Sequence, residues 1–229
     1  LMSKNLTDTV LLSPSIIATD LSLLGSTVSS FDSTSIHFLH IDVMDGNFVP
    51  NVTIGPGYIQ NLKHHTSIPL DIHLMIDKPE LSLIHYSECN PYFLTIHMES
   101  TRQPIRLLQQ IKQAGIKAGL SINPSTPVAT LFDMVEYADM ILIMSVEPGF
   151  YGQKFIPASL KRIEQLHNFI NANNMDVVIE VDGGINEDTI ADVVKAGARI
   201  IVAGSGVFNA HDINKQAKVL IQKACKALE

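Results

Sequence analysis

The chain has 229 residues, 46% of them apolar and 17% charged, with 13 glycines and 11 prolines. A chain of this size and apolar content buries a full core, which excludes intrinsic disorder, a collagen-like repeat and a small scaffold held together by disulfides. Sixteen Lys and Arg against 23 Asp and Glu leave a formal charge of -7 with the two signs interspersed, so no nucleic-acid partner is expected.

The two cysteines, Cys89 and Cys225, form neither a CxxC pair nor a dense framework, which suits a reducing compartment. No apolar run reaches the roughly 18 residues of a membrane span. The polar stretch from Lys4 to Asp8 lacks the charged-then-apolar order of a signal peptide. A cytoplasmic protein with no membrane partner is expected. Leu1 precedes Met2 and reads as a remnant of cloning, and residues 1–229 are otherwise expected to form a single domain.

In chain order, apolar β-branched runs predict strands at Val10–Ile16, Ile36–Asp42, Pro69–His73, Phe93–His97, Lys117–Ser121, Met140–Ser145, Val177–Val181 and Ile200–Ala203. Stretches with helical periodicity lie between them. In Arg102–Ala114, Ile105, Leu108 and Ile111 share one face and Gly115 stands at the C-cap position. Pro157–Ala172 starts with proline in its first turn and lines up Leu160, Ile163, Leu166 and Ile170, and Ile213–Leu228 closes the chain.

Strands that are apolar nearly throughout and alternate with helices imply a parallel sheet covered by helices. An open doubly wound sheet would most often carry GxGxxG after its first strand, where this chain has Ser13-Pro14-Ser15. The expected fold is therefore α/β, a single (β/α)8 TIM barrel, and its chemistry is expected at the C-terminal ends of the strands.

The second run ends His40-Ile41-Asp42, and the two-residue period of a strand points both polar side chains to one face. The third ends Asp71-Ile72-His73, and the seventh is followed by Asp182. Two imidazoles and two carboxylates can thus converge, a donor set suited to one divalent ion, Zn, Fe(II), Mn or Co. Taken alone, either histidine is equally well read as a hydrogen-bonded core residue. His97 and Glu99 also alternate inward and are expected to support the rim rather than to ligate. Met44, Met75 and Met144, near the ends of their strands, read either as core filler or as an adaptable apolar wall around a metal. The remaining histidines, His37, His64, His65, His85, His167 and His211, are assigned to surfaces or helices.

Two kinds of loop complete the rim. Ser145 to Gln153, with Gly149, Phe150, Tyr151 and Gly152, reads as a lid or as an ordinary turn carrying surface aromatics. Asp182-Gly183-Gly184-Ile185 and Ala203-Gly204-Ser205-Gly206 are glycine-rich turns that either cradle a phosphate or merely turn tightly.

Taken together, these residues resemble the ribulose-phosphate 3-epimerases, from Ser13-Pro14-Ser15-Ile16 to Ala203-Gly204-Ser205-Gly206-Val207-Phe208. The most specific stretch runs from His40-Ile41-Asp42-Val43-Met44-Asp45-Gly46 to Pro50-Asn51, joined by Asp71-Ile72-His73-Leu74-Met75, Asn123-Pro124-Ser125-Thr126-Pro127, Pro148-Gly149-Phe150-Tyr151-Gly152-Gln153 and Glu180-Val181-Asp182-Gly183-Gly184. The resemblance implies a barrel of the ribulose-phosphate-binding type that interconverts D-ribulose 5-phosphate and D-xylulose 5-phosphate with one divalent metal and no organic cofactor. It implies metal ligation by His40, Asp42, His73 and Asp182, with Asp42 and Asp182 also the acid and base. By the same likeness Ser15 and His73 touch the substrate, Met44, Met75 and Met144 wall it in, and Gly149, Phe150, Tyr151, Gly152, Gly183, Gly184, Gly204 and Ser205 hold its phosphate end. A homo-oligomer is also implied.

Inverting a carbon beside a ketone removes a proton from one face and returns one to the other, which two opposed carboxyls accomplish, with the metal stabilising the enediolate. Three positions depart from the family pattern. Tyr151 stands where many members have glycine, Ile17-Ala18-Thr19-Asp20 replaces Leu-Ser-Ala-Asp, and Gly206 replaces a commoner alanine. These departures keep a hexulose-phosphate 3-epimerase acting on D-allulose 6-phosphate as the second reading. A third, a non-catalytic sugar-phosphate-binding barrel, would be expected to have lost one of the four metal-site residues. A decarboxylase or aldolase would want a lysine at a strand end, which neither Lys154 nor Lys195 occupies.

Overall fold

The computed structural model describes residues 6–229; Leu1, Met2 and the start of the polar stretch at Lys4 lie outside the described residues. Eight parallel strands follow one another around a barrel: β1 (Leu11–Pro14), β2 (Leu39–Met44), β3 (Leu70–Met75), β4 (Phe93–His97), β5 (Lys117–Ile122), β6 (Met140–Met144), β7 (Val178–Asp182) and β8 (Ile200–Ala203). The ring closes between β1 and β2, where Ser15 bridges His40 and the Leu12 carbonyl accepts from the N–H groups of His37 and Phe38. That closure shortens the first two predicted strands. Ser15 keeps a single bridge before the chain turns, Ile36 N–H bonds back to Asp32, and His37 and Phe38 reach β1 outside the ladder, so β2 starts at Leu39 and runs on to Met44.

The outer layer holds α1 (Leu24–Ser29), α2 (Pro56–Leu62), α3 (Leu83–Ser87), α4 (Pro104–Gln113), α5 (Ala158–Ala172), α6 (Ile190–Lys195), α7 (Ser205–Phe208) and α8 (Ile213–Lys226). Helix α4 buries Leu107, Leu108 and Ile111. It ends as its glycine predicts: Gly115 takes φ +78°, Gly115 N–H donates to the Lys112 carbonyl and Ile116 N–H to that of Ile111, a Schellman cap. Between β5 and β6 the expected helix is replaced by two 3-10 turns, Val128–Leu131 and Val135–Tyr137. Val128, Leu131 and Val135 still cover the sheet.

Strand residues alternate between two cores. Ile41, Val43, Ile72, Leu74, Leu94 and Ile96 belong to the core shared with the helices, where each buried Leu or Ile contributes about 1.5–3 kcal/mol. The other face fills the barrel. Leu11, Phe38, Phe93, Met140, Val178 and Ile200 form an apolar plug, each at the start of its strand or just before it. One step further along, Ser13, Asp71, Thr95 and Glu180 form a buried polar layer. The next step reaches Asp42, His73 and Asp182. Strand register thus sets the height of every side chain in the barrel.

Candidate active site

Ladder pairing opposes His40 to Asp71, Asp42 to His73 and Met44 to Met75 on β2 and β3, and Met144 to Asp182 on β6 and β7. The four expected ligands consequently meet inside the barrel. Asp42 Oδ1 lies 3.4 Å from His40 Nε2 and 3.3 Å from His73 Nδ1, those two nitrogens are 3.3 Å apart, and Asp182 Oδ2 stands 4.0 Å from His40 Nε2. One ligand atom from each residue lies within 4.8 Å of the others. Donors on a tetrahedral ion at about 2.0–2.1 Å are separated by about 3.3–3.4 Å, so two nitrogens and two carboxylate oxygens at these spacings fit one divalent cation.

The outer atoms of these ligands are also engaged. His40 Nδ1 faces Asp71 Oδ2 at 2.6 Å, and the same oxygen accepts from the Ser13 hydroxyl at 3.0 Å. This fixes Nε2 as the nitrogen turned to the cluster. Glu180 Oε1 approaches His40 Nδ1 at 3.8 Å, and neither Glu180 oxygen has a hydrogen-bond partner. His40, Asp71 and Glu180 do come close enough to suggest a second metal group, but they share the His40 ring and its Nδ1 is committed to Asp71. Their arrangement orients the first site. His73 Nε2 meets His97 Nε2 at 2.8 Å, and His97 Nδ1 faces Glu99 Oε2 at 3.4 Å.

Charge and burial divide the acids into two states. Burial pushes the Asp42 carboxyl upward, but His40, with hydrogen bonds from His40 and His73, holds it well below the usual carboxylate range. Asp182 is pushed up to about 7 by burial first and then by the charge of Asp42. Burial and the Asp71 charge likewise hold Glu180 well above its ordinary value. His40 is raised because Asp71 and Asp42 overcome its burial, whereas burial lowers His73 to about 4.

A cavity opens directly onto Asp42 and Asp182. Ser15, Met44, Met75 and Met144 line it, and Ser15 also donates to Asp42 Oδ2 at 2.5 Å. Gly149, Phe150, Tyr151 and Gly152 line it from the loop after β6, and Gly183, Gly184, Gly204 and Ser205 from the turns after β7 and β8. His73, expected also to touch the substrate, is fully buried and does not line the cavity. Tyr151 fits the loop because the left-handed φ values fall on Gly149 (+123°) and Gly152 (+78°) instead. Its side chain and that of Phe150 are 62% and 56% exposed, so neither narrows the floor of the cavity. Gly206 has a local cause as well: a Cβ there would lie 2.3 Å from the Ile185 carbonyl oxygen.

The loop after β6 is fastened at both ends. Ser145 donates from its hydroxyl to the Asp182 and Gly183 carbonyls at 2.8 and 2.7 Å, tying the loop root to β7. At the tip, Asn51 Nδ2 donates to the Gly149 carbonyl at 2.9 Å, and Gln153 Nε2 donates to the carbonyls of Glu147 and Phe150. Arg162 reaches from α5 to the Met144, Asn123 and Thr126 carbonyls, joining the loop root to the loop after β5. Asp71, Glu180 and Asn51 stand in the stretches that carry the resemblance without a role of their own, and Arg162 stands in none of them. The first two carry a readable signal, since each lies two residues before a candidate ligand on the same inward face. Among the other histidines, His37 departs from expectation: it is half-buried outside any helix and accepts from Leu12 N–H through Nδ1.

No helix among the described residues is long and apolar enough to cross a membrane. The sequence profile of the ribulose-phosphate 3 epimerase family matches residues 11–208. A ribulose-phosphate 3-epimerase of Mycobacterium tuberculosis is 42% identical over 202 residues, covering 88% of this chain and 87% of that protein. One from Aquifex aeolicus is 41% identical over 210 residues, covering 92% and 95%. The crystal structure of KGPDC from Streptococcus mutans matches with a TM-score of 0.71 at 10% identity, over 97% of this chain and 100% of that one, a likeness of fold alone. Similarity of this extent makes the chain a member of the ribulose-phosphate 3-epimerase family, an isomerase that inverts C3 of a ketose phosphate.

Proposed function

We propose that the protein interconverts D-ribulose 5-phosphate and D-xylulose 5-phosphate, with Asp42 and Asp182 as its acid-base pair and with His40, Asp42, His73 and Asp182 holding one divalent ion. The observation that carries this reading is the placement of two carboxyls at the floor of one cavity, Asp42 from β2 and Asp182 from β7, beside the ring nitrogens of His40 and His73. They come from β2 and β7, strands separated by β1 and β8, and so approach a bound ketose from different sides. In one direction Asp42 accepts the C3 proton and Asp182 donates to the opposite face; in the other the roles exchange. A divalent ion held by the four ligands supplies positive charge where negative charge develops on the substrate.

The chain's own residues do the rest. Ser15 orients Asp42 through Oδ2. Met44, Met75 and Met144 make the wall apolar, which strengthens every charge interaction at the floor. The turns bearing Gly184, Gly204 and Ser205 take the phosphate, and the loop from Glu147 to Gln153, held down by Asn51, keeps water from the reacting carbon.

Tyr151 at the cavity wall favours one second reading, a D-allulose 6-phosphate 3-epimerase with the same floor. A stereochemical assay with defined Zn(II), Fe(II) or Mn(II) distinguishes the two. The pentulose phosphate is expected to exceed the hexulose phosphate in kcat/KM by tenfold or more, about 1.4 kcal/mol of transition-state discrimination. The reverse preference leaves the chemistry in place and reassigns the sugar.

Cation uptake is expected to release protons. At neutral pH the raised His40 carries a second proton on Nε2, which must leave before that nitrogen can ligate, and Asp182 is partly protonated. Affinity for zinc or manganese therefore rises as pH rises from about 6 to about 8. Calorimetry in buffers of unequal ionisation enthalpy is expected to record about one to two protons released per ion near pH 7. An affinity indifferent to pH over that range removes His40 and Asp182 from the ligand set.

A further inference from the structure

The two imidazoles of the cluster are held from behind by different means. His40 turns Nδ1 straight to a carboxylate, Asp71 Oδ2, at 2.6 Å. His73 reaches a carboxylate only through a second imidazole: its Nε2 lies 2.8 Å from His97 Nε2, and His97 Nδ1 lies 3.4 Å from Glu99 Oε2. Both rings are fully buried and meet edge to edge, their centroids 4.9 Å apart and their planes 20° from parallel.

Two ring nitrogens at hydrogen-bonding distance share one proton, so the protonation of one ring dictates that of the other. His73 Nδ1 must offer a lone pair to bind a cation, which puts its proton on Nε2. That N–H donates to His97 Nε2, and His97 then carries its own proton on Nδ1, where only an acceptor completes the chain. Glu99 is that acceptor. Its other oxygen, Oε1, accepts from Asn123 N–H at 2.8 Å and from the Thr126 hydroxyl, so the carboxylate cannot turn away.

We infer that Glu99 is a positioning residue for the metal site: acting through His97, it fixes the tautomer in which His73 presents Nδ1 to the cluster. This rests on the reading of His73 as a metal ligand. The competing account makes Glu99 a staple for the loop after β5 and nothing more.

Glu99→Gln separates the two. The amide oxygen can keep the bonds to Asn123 and Thr126, but the amide NH2 then faces His97 Nδ1 and turns that nitrogen into an acceptor. The opposite amide orientation sets NH2 against the Asn123 N–H. With His97 protonated on Nε2, two N–H groups oppose each other unless His73 moves its proton to Nδ1, where it blocks ligation. Thr126→Val removes one staple bond and leaves the tautomer chain intact.

The experiment measures Zn(II) affinity of the metal-free proteins by chelator competition, with histidine tautomers read by 15N NMR. Wild type is expected to bind one equivalent with His97 protonated on Nδ1. Glu99→Gln is expected to bind roughly 10–100-fold more weakly with the His97 proton on Nε2, while Thr126→Val stays within about threefold of wild type, a small change by the same measure. Adding Glu99→Gln to a His97→Phe background is expected to change nothing further, since the link is already cut. Wild-type affinity in Glu99→Gln, or equal weakening by Thr126→Val, overturns the inference and leaves the ligand assignment standing. A wild-type protein that takes up no stoichiometric Zn(II) overturns the ligand assignment itself, and the inference with it.

Discussion

Asp42→Asn and Asp182→Asn are each expected to lower epimerase turnover by roughly 10²–10⁴-fold, the range of a lost general acid or base, while the barrel stays folded. Folding is not at risk in Asp182→Asn. A carboxyl whose folded pKa is raised to about 7 from an ordinary 3.8 destabilises the folded state increasingly as pH rises through that window, so a neutral amide relieves the metal-free protein above pH 7. Asparagine is also a poorer ligand, so cation content is measured alongside turnover and the assays are run at saturating metal.

The decisive readout is exchange of the C3 hydrogen with solvent deuterium. Each variant keeps one carboxyl and should exchange the C3 hydrogen of one epimer without inverting it, and the two variants should act on opposite epimers. Both variants exchanging the same epimer would mean that a single residue serves both faces. More than a tenth of wild-type inversion in either variant removes the two-aspartate scheme altogether.

That these two carboxyls are legible in the sequence as inward-facing neighbours of the histidines is a matter of strand period. His40 and Asp42 lie two apart on β2, Asp71 and His73 two apart on β3, and Glu180 and Asp182 two apart on β7, so every inward position announces the next. The same rule, carried one step deeper, points to Asp71 and Glu180 as the layer beneath the cluster. Their functional weight comes from register, which opposes His40 to Asp71 and brings β7 across the barrel; a single strand carries no trace of that. Arg162 is illegible for a different reason. It faces out of α5 with ordinary helical spacing, and only the packing of α5 against the turns after β5 brings its guanidinium to carbonyls 36 and 39 residues away. Between β5 and β6 the apolar spacing alone reads as helical, and nothing within residues 128–137 accounts for the two 3-10 turns found there.

Gly184→Ala is expected to cost about 2–5 kcal/mol, the sum of left-handed backbone strain and overpacking. Gly184 holds φ +66°, and a Cβ there would lie 2.3 Å from Phe155 N, 2.7 Å from Phe155 Cα and 3.0 Å from the Lys154 carbonyl carbon. All three atoms are backbone, so no rotamer change relieves the contact; either the turn after β7 or the base of the loop after β6 must move. For a chain of this size the loss lowers the unfolding temperature by roughly 4–20 °C. Gly184 and Gly152 line the same cavity, so the displacement opens the end assigned to the phosphate, and KM for the ketose phosphate should rise more than kcat falls. Gly115→Ala supplies the control. Gly115 is also left-handed, at φ +78°, but has nothing within 4 Å of its would-be Cβ and lies at the end of α4, away from the cavity. It should cost only the strain, about 1–2 kcal/mol, and leave KM untouched. Equal costs in the two variants would mean that the approach of Phe155 to Gly184 is soft; an unchanged KM in Gly184→Ala would detach the turn after β7 from the phosphate.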